Sequence, residues 1–342
     1  MGLKPKTYRT DVRLILLLGP LSPSRLSERR HLRDLPRGQF GGITPQMEAT
    51  VVVNLSSSQS SSRVEAIPEL LEARGIRVVE FHSTGDHDSM RRHFERAVKR
   101  KTKTLIVGGG DGSMTQAANA LAHSDTVLGV LPLGTGNSFA ATIGLDGQLE
   151  SAIEVIAKQR VASVDLGMVN GRYFANFATI GLPAEVAKAS PRLKRFFGPL
   201  AYVFAGIRPM LTHEPFRAEV RWDSDGRMTL QTQQIVVASG RFFGKQPVLP
   251  NASITSGRLA FFTTSGVSHF DLVRTYVAFA LGTQTQLGDA HAFSAESIEV
   301  RAKPKQPLNI DGEPLGKTPA RFRIARRALR VFVPPNFVDE GG

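Results

Sequence analysis

The sequence predicts a two-part fold: an N-terminal α/β half built on a Rossmann-like parallel sheet, then a β-rich half forming an antiparallel sandwich or barrel. Three observations carry this reading. Between residues 50 and 158, short β-branched runs alternate with segments of helical period, the pattern of a parallel sheet covered on both faces. After about residue 163 the rhythm changes to short strands punctuated by turn dipeptides, which is antiparallel patterning. Two glycine-rich stretches, Gly108–Gly112 and Gly134–Gly136, follow successive strands, at the edge where open α/β sheets bind their ligands.

The elements follow in order. Thr50–Leu55, centred on Val51-Val52-Val53, reads as the first strand. Val64–Arg74 predicts a helix with Ile67, Leu70 and Leu71 on one face. Arg77–Phe81 is a strand, and Met90, Phe94, Ala97 and Val98 mark a second helix. Thr104–Val107 is a strand, and Met114, Ala117, Ala118 and Leu121, at i, i+3, i+4 and i+7, mark a third helix,. Val127–Leu131 and Glu150–Lys158 add a strand and a helix. In the second half, Val164–Val169 and Tyr173–Ala178 flank Asn170-Gly171, and Phe216–Trp222 and Met228–Ala238 flank Asp223–Gly226; both are hairpin signals. Arg258–Thr263, Ile298–Ala302, Pro307–Ile310 and Ala320–Ile324 read as further strands. Helical stretches are expected over Pro199–Leu211 and Phe270–Leu281.

Composition narrows the class. The 342 residues are 41% hydrophobic and 21% charged, ordinary for a globular chain of two domains,. The absence of cysteine excludes disulfides, thiolate metal sites and a cysteine nucleophile,. Leu14–Leu18 is too short to span a bilayer and lacks a small-residue cleavage site, so neither a spanning helix nor a secretory signal is expected,. The net charge is +13. Nine Lys/Arg against three acids fall in residues 1–46, which show no sustained period. They read as a basic, disordered tail, with Met47 a candidate start of translation. Such charge suits anionic partners: nucleotide, nucleic acid or anionic phospholipid. No aromatic-basic recognition motif is present, so nucleic acid is not expected. His82, His87 and His93 lack the spacing of a zinc site,. Leu193–Leu200 mixes cations with aromatics, a segment suited to a membrane surface or to inward packing,.

The glycine stretches carry the chemistry. In Gly108-Gly109-Gly110-Asp111-Gly112-Ser113-Met114 a strand ends, four glycines surround one aspartate and a helix begins. Glycines admit a phosphate without Cβ clashes, and the helix start offers free N–H groups and a positive dipole end. Ser113 is the expected N-cap. Asp111 beside a polyphosphate calls for Mg²⁺ or a substrate hydroxyl between them. In Leu131-Pro132-Leu133-Gly134-Thr135-Gly136-Asn137 the Thr135 hydroxyl and the Asn137 amide are available to a nucleotide. Asp311-Gly312 near the C-terminus also fits a plain hairpin turn,.

Gly109–Ser113 resembles the GGDG(T/S) element shared by lipid kinases, NAD kinases and phosphofructokinases. Pro132–Asn137 resembles the PxGTxN element of the diacylglycerol and sphingosine kinases. Asp165-Leu166-Gly167, Gly171–Asn176 and Gly181 are similar to that family's entry into its β domain, and Asp311-Gly312-Glu313 to its DGE element. The resemblance runs from Thr84 to Glu313 and implies an NAD kinase/diacylglycerol kinase-like fold and an ATP- and Mg²⁺-dependent lipid kinase. It implies Thr84, Gly109, Gly110, Asp111, Gly112, Ser113, Met114, Thr115, Gly134, Thr135, Gly136 and Asn137 as nucleotide residues, with Asn54 retained from the first phosphate loop. It implies Glu313 as the base that deprotonates the lipid hydroxyl, with Asp111 and Asp311 as further catalytic groups and metal ligands. The expected parts are the tail 1–46, a nucleotide-binding domain over 47–163, a lipid-substrate domain over 164–325, and a segment 326–342 packing back on the first domain. The implied setting is cytoplasmic and peripheral at a membrane, with a lipid substrate and anionic phospholipid as partners; a homodimer stays open. Other readings are an NAD kinase-like enzyme and a non-catalytic nucleotide- or lipid-binding protein. Two departures stand out. Asn54-Leu55-Ser56 lacks the proline and glycine of an NPxSG loop, and Ile254–Leu259 lacks the carboxylates of the bacterial enzymes' structural metal loop.

Overall fold

The computed structural model describes residues 47–56, 61–184, 213–243, 246–247 and 252–338. The tail 1–46, the Leu193–Leu200 segment and the helix expected over Pro199–Leu211 lie outside the described residues. The first half contains β1 (Met47–Asn54), α1 (Ser61–Glu65), α2 (Ile67–Glu72), β2 (Ile76–Thr84), α3 (His87–Lys99), β3 (Thr104–Gly109), α4 (Asp111–Leu121), β4 (Val127–Pro132), α5 (Ser138–Thr142) and α6 (Leu149–Ala157). The helix expected over Val64–Arg74 is two short ones. Pro68 has no N–H to bond back into the preceding turn, so the helix restarts after Ala66, with the proline in its first turn,. Asp86 caps α3, its carboxylate accepting from Ser89 N at 2.8 Å,. β2, β1, β3 and β4 lie side by side, all parallel. Val51, Val52 and Val53 are wholly buried, as a central parallel strand covered on both faces requires,.

The second half contains β5 (Val161–Val169), β6 (Arg172–Phe174), β7 (Phe177–Gly181), β8 (Phe216–Trp222), β9 (Gly226–Thr232) and β10 (Gln234–Ala238). A two-residue pair follows, β11 (Phe242–Phe243) and β12 (Gln246–Pro247), then β13 (Leu259–Thr264), α7 (His269–Leu281), β14 (Ala290–Ala295), β15 (Ser297–Lys303), β16 (Pro307–Ile310), β17 (Glu313–Lys317) and β18 (Ala320–Phe332). Asn170 and Gly171 both take positive φ, 48° and 83°, giving the tight turn their dipeptide predicts,. Two runs expected as single strands are divided. The chain leaves one sheet after Phe174 and enters the other at Phe177, and it crosses again between Thr232 and Gln234.

One layer continues the parallel sheet through β18, β15, β8 and β9, with β5 and β6 beside β18. The other is the antiparallel order β14-β13-β10-β7-β16-β17. Phe174, Phe216, Phe261 and Phe322 fill the space between them; each such burial stabilises by about 2–3 kcal/mol. β18 joins the halves. It pairs antiparallel with β5 and β15, while Val331 lies parallel to Leu128 of β4. The domain boundary expected at residue 325 therefore falls inside one strand, at a bulge between Ala325 and Leu329. There the buried Asp165 carboxylate accepts from Arg327 N and from Gly257 N, both at 2.7 Å.

No helix among the described residues is long and apolar enough to cross a membrane. His82 and His93 stack at 3.9 Å, whereas the His87 ring bonds Gln116, so the three histidines do not converge. Burial, reinforced by the neighbouring His82 and Arg96, pushes His93 down to about 4,.

Candidate active site

The glycine stretches meet at one edge of the parallel sheet. Gly109, the last residue of β3, lies opposite Pro132, the last residue of β4. Beyond them the loops touch backbone to backbone: a Cβ on Gly134 would sit 2.4 Å from Gly110 Cα. Asn137 takes the left-handed conformation at φ 54°, ψ 40°, which asparagine tolerates better than most residues. Its Oδ1 accepts from Gly134 N at 3.0 Å and its Nδ2 donates to Gly134 O at 2.8 Å. The amide expected to face a nucleotide thus holds the loop closed, leaving the exposed Thr135 at its tip.

Gly134→Ala forces the two loops apart, because the atom in the way is backbone and cannot rotate aside. The expected cost is about 1–3 kcal/mol of stability. A fall in nucleotide affinity larger than the fall in Tm would show that the loop contact shapes the phosphate site.

Ser113 is not the helix cap. Gly110 holds that position, and Ser113 lies in the first turn, its N–H donating to Gly110 O at 3.0 Å. Its buried hydroxyl accepts from Asn54 Nδ2 at 3.0 Å, while Asn54 Oδ1 accepts from Ser56 N at 2.9 Å. Asn54 thereby ties the end of β1 to α4. Thr84 pairs with Asn54 across the strands, and its hydroxyl accepts from Asp86 N at 3.1 Å. Met114 faces the core at 2% exposure and does not line the loop.

Asp111 opens α4. Its Oδ2 accepts from Ser138 Oγ and its Oδ1 from Phe139 N, each at 3.0 Å. The carboxylate thus bridges the two glycine loops, and a Cβ on Gly136 would sit 2.8 Å from Oδ2. Glycine is the residue that leaves this carboxylate room.

Asp311 is different from the metal ligand expected. Its Oδ2 accepts from Thr115 Oγ1 and Ala175 N at 2.7 Å, and its Oδ1 from Asn176 N and Phe177 N at 3.0 Å. A carboxylate has about four acceptor positions, and four protein donors fill them. Asp311 therefore holds the chain where it passes from β6 to β7, and it pins Thr115 of α4 to that crossing. Burial pushes its pKa up, to about 6, against the downward pull of the Thr115, Phe177 and Ala175 donors; the Asp111 charge adds to the rise,.

Asp311 (φ 45°) and Gly312 (φ 91°) also form the two-residue turn between β16 and β17, with Ile310 opposite Glu313,. The plain turn that the dipeptide predicts is therefore present. The turn delivers Glu313 to α4: a Cβ on Gly112 would lie 3.6 Å from Glu313 Oε1. Glu313 is half-buried and faces the first turn of the helix.

Sequence reasoning missed four contributors. Ser138 and Phe139 hold Asp111. Asn119 Nδ2 donates to Tyr173 O at 2.8 Å, and its Oδ1 accepts from Tyr173 N at 3.0 Å, a second clasp between α4 and β6. The buried side-chain amide of Asn176 has no hydrogen-bond partner among the described residues. A polar row on α4, Thr115 and Asn119 at i, i+4, was the available signal.

Residues 48–169 match the model of the diacylglycerol kinase catalytic domain, and residues 176–333 that of the YegS C-terminal NAD kinase beta sandwich-like domain. The Shewanella frigidimarina protein named "Probable lipid kinase YegS-like" is 30% identical over 257 residues, 72% of this chain and 82% of that protein. A diacylglycerol kinase of Staphylococcus saprophyticus is 27% identical over 248 residues, 72% of this chain and 81% of that one. The crystal structure of a diacylglycerol kinase from Bacillus anthracis shares the fold, with a TM-score of 0.65 at 20% identity over 85% of this chain and 98% of that one. With both halves matched in order and most of a relative's length covered, this chain belongs to the family of diacylglycerol kinases and YegS-like lipid kinases.

Proposed function

We propose that this chain transfers the γ-phosphoryl group of ATP to the hydroxyl of a lipid alcohol of the diacylglycerol or sphingoid kind. The observation that carries the reading is the Glu313 carboxylate beside Gly112, where a base meets the phosphate-binding end of a helix.

The residues fit a phosphate chain. Asp111 and Gly112 lie in the first turn of α4, where amides lack intrahelical acceptors,, and the dipole favours an anion. The exposed Thr135 hydroxyl donates from the facing loop. The donor set also fits Mg²⁺, which takes one or two carboxylates together with substrate phosphates. Each oxygen of Asp111 keeps one acceptor position after its protein bond, so Asp111 would hold the ion and Asp311 would not. When bound, Mg²⁺·ATP supplies the phosphoryl group and neutralises its charge.

The chain's own contribution is positioning and proton removal. Glu313 Oε1 takes the proton of the lipid hydroxyl as that oxygen attacks. Asp311 acts through Glu313, by fixing the turn that carries it. The bilayer is reached peripherally, from the cytoplasmic side.

The test is a screen of radiolabelled ATP against diacylglycerol, sphingosine, ceramide and NAD, with products resolved by chromatography. Mg²⁺-dependent labelling of a lipid is expected. Labelling of NAD alone would replace this reading with a nucleotide kinase. No labelling of any acceptor, with ATP bound, would make the chain a non-catalytic binder.

A further inference from the structure

α7 carries an outward face of the wrong polarity for a helix in water. Leu272, Thr275 and Ala278 are buried against the sheet, and Phe279 meets Phe262 edge-on at 5.0 Å. The opposite side of such a helix is ordinarily polar. Here it presents Phe270 at 74% exposure, Val273 at 48%, Val277 at 52% and Leu281 at 71%. At about 100° per residue these four positions fall within an arc of about 80°, along about 16 Å of helix. The helix ends are well made, with a Ser268–Asp271 capping box and Gly282 at φ 71°. The stripe is therefore the face of a stable helix and not a frayed end.

The charges beside it are spent on one another. Arg274 Nη2 meets Asp289 Oδ1 at 2.6 Å and Asp271 Oδ1 at 3.3 Å. No charged side chain lies within the stripe, so little is lost when it leaves water.

The opposite, buried side of α7 packs on a cluster that reaches the candidate active site. Phe262, on which α7 packs, belongs to an apolar cluster with Val236, Ala238 and Ala260 on the outer face of the antiparallel sheet. Phe177 packs against the same cluster, and the Phe177 amide is one of the donors that hold Asp311. The cluster beneath α7 thus extends to the strand end beside the Glu313 turn.

We infer that α7 seats the protein on the bilayer, its four side chains entering the acyl region just below the headgroups. The choice of a bilayer rests on the lipid-kinase reading: the acceptor lies in a membrane, and no described helix spans one. The stripe exposes roughly 500 Å² of apolar surface, below the ~800 Å² that each partner gives to a stable protein interface. That area suits shallow insertion better than a second copy of the chain. Because the contact is apolar, it persists in salt, unlike attraction of a basic segment to anionic lipid.

The experiment uses the full chain and vesicles of phosphatidylcholine with diacylglycerol, at low and high salt. Wild type should sediment with the vesicles at both. The double variant Phe270→Ser/Leu281→Ser should bind at least tenfold more weakly, while its kcat/KM on monomeric short-chain diacylglycerol stays within twofold. Phe270→Trp keeps the face apolar, and its emission should shift to the blue on vesicle addition above the constant signal of Trp222. Equal vesicle binding by the double variant, loss of wild-type binding in salt, or no blue shift would each overturn the inference. So would a wild-type dimer that the double variant dissociates with vesicle binding unchanged. Binding is read without turnover. A wild type that binds vesicles but phosphorylates no lipid would sink the kinase reading and leave the docking face standing.

Discussion

Glu313→Gln should lower kcat by about 10²–10⁴-fold, the usual worth of a positioned general base, with nucleotide affinity and Tm close to wild type. Glutamine keeps the size of the side chain and removes only its capacity to take a proton. Glu313 is half-buried at the first residue of β17, so no buried acceptor is lost with the charge. The site leaves few alternatives. Asp311 is buried with its acceptor positions filled, and Asp111 is bridged to Ser138 and Phe139. Turnover within tenfold of wild type, in a variant shown to be folded and to bind ATP, would remove Glu313 as the base.

Asp311→Ala should destabilise the protein by about 3–5 kcal/mol and abolish turnover. It takes the acceptor from three backbone N–H groups at a buried crossing, while the Thr115 hydroxyl keeps Asp111 O at 3.1 Å; each orphan costs about 1–3 kcal/mol, in part relieved by entering water. Differential scanning calorimetry reads the loss. The pH dependence supplies a second readout. The carboxyl holds its proton up to about 6 when folded, against 3.8 for an ordinary aspartate. The folded state therefore binds more protons between those values, and the contribution of this group to stability falls as pH rises from 3.8 to about 6 and is flat above. Asp311→Ala should remove that slope. A variant with wild-type Tm whose lost activity returns on adding Mg²⁺ would instead make Asp311 a metal ligand.

Much of this architecture is determined by local chemistry that one sequence displays. The valines of β1, the helical period of α3 and α4, and the Asn170-Gly171 and Asp311-Gly312 turns each follow from side-chain pattern and backbone preference,. The two glycine loops were legible for the same reason, since tight turns demand particular residues at particular spacing, whereas Glu313 was named by resemblance alone. What tertiary structure alone decided is long-range. The period of a strand reports that its residues alternate, not which layer they join, so the crossings at Ala175-Asn176 and Gln233 and the passage of β18 through both halves could not be read. Residue type reports that a carboxylate can bind a metal or accept hydrogen bonds, not which partner reaches it. Asp311 became an anchor because the fold brings it to the amides of Ala175, Asn176 and Phe177, well over a hundred residues away in sequence. Ser113 became a brace because the fold brings Asn54, at the end of β1, to its hydroxyl, whereas the Asn137 amide turns back on Gly134 of its own loop.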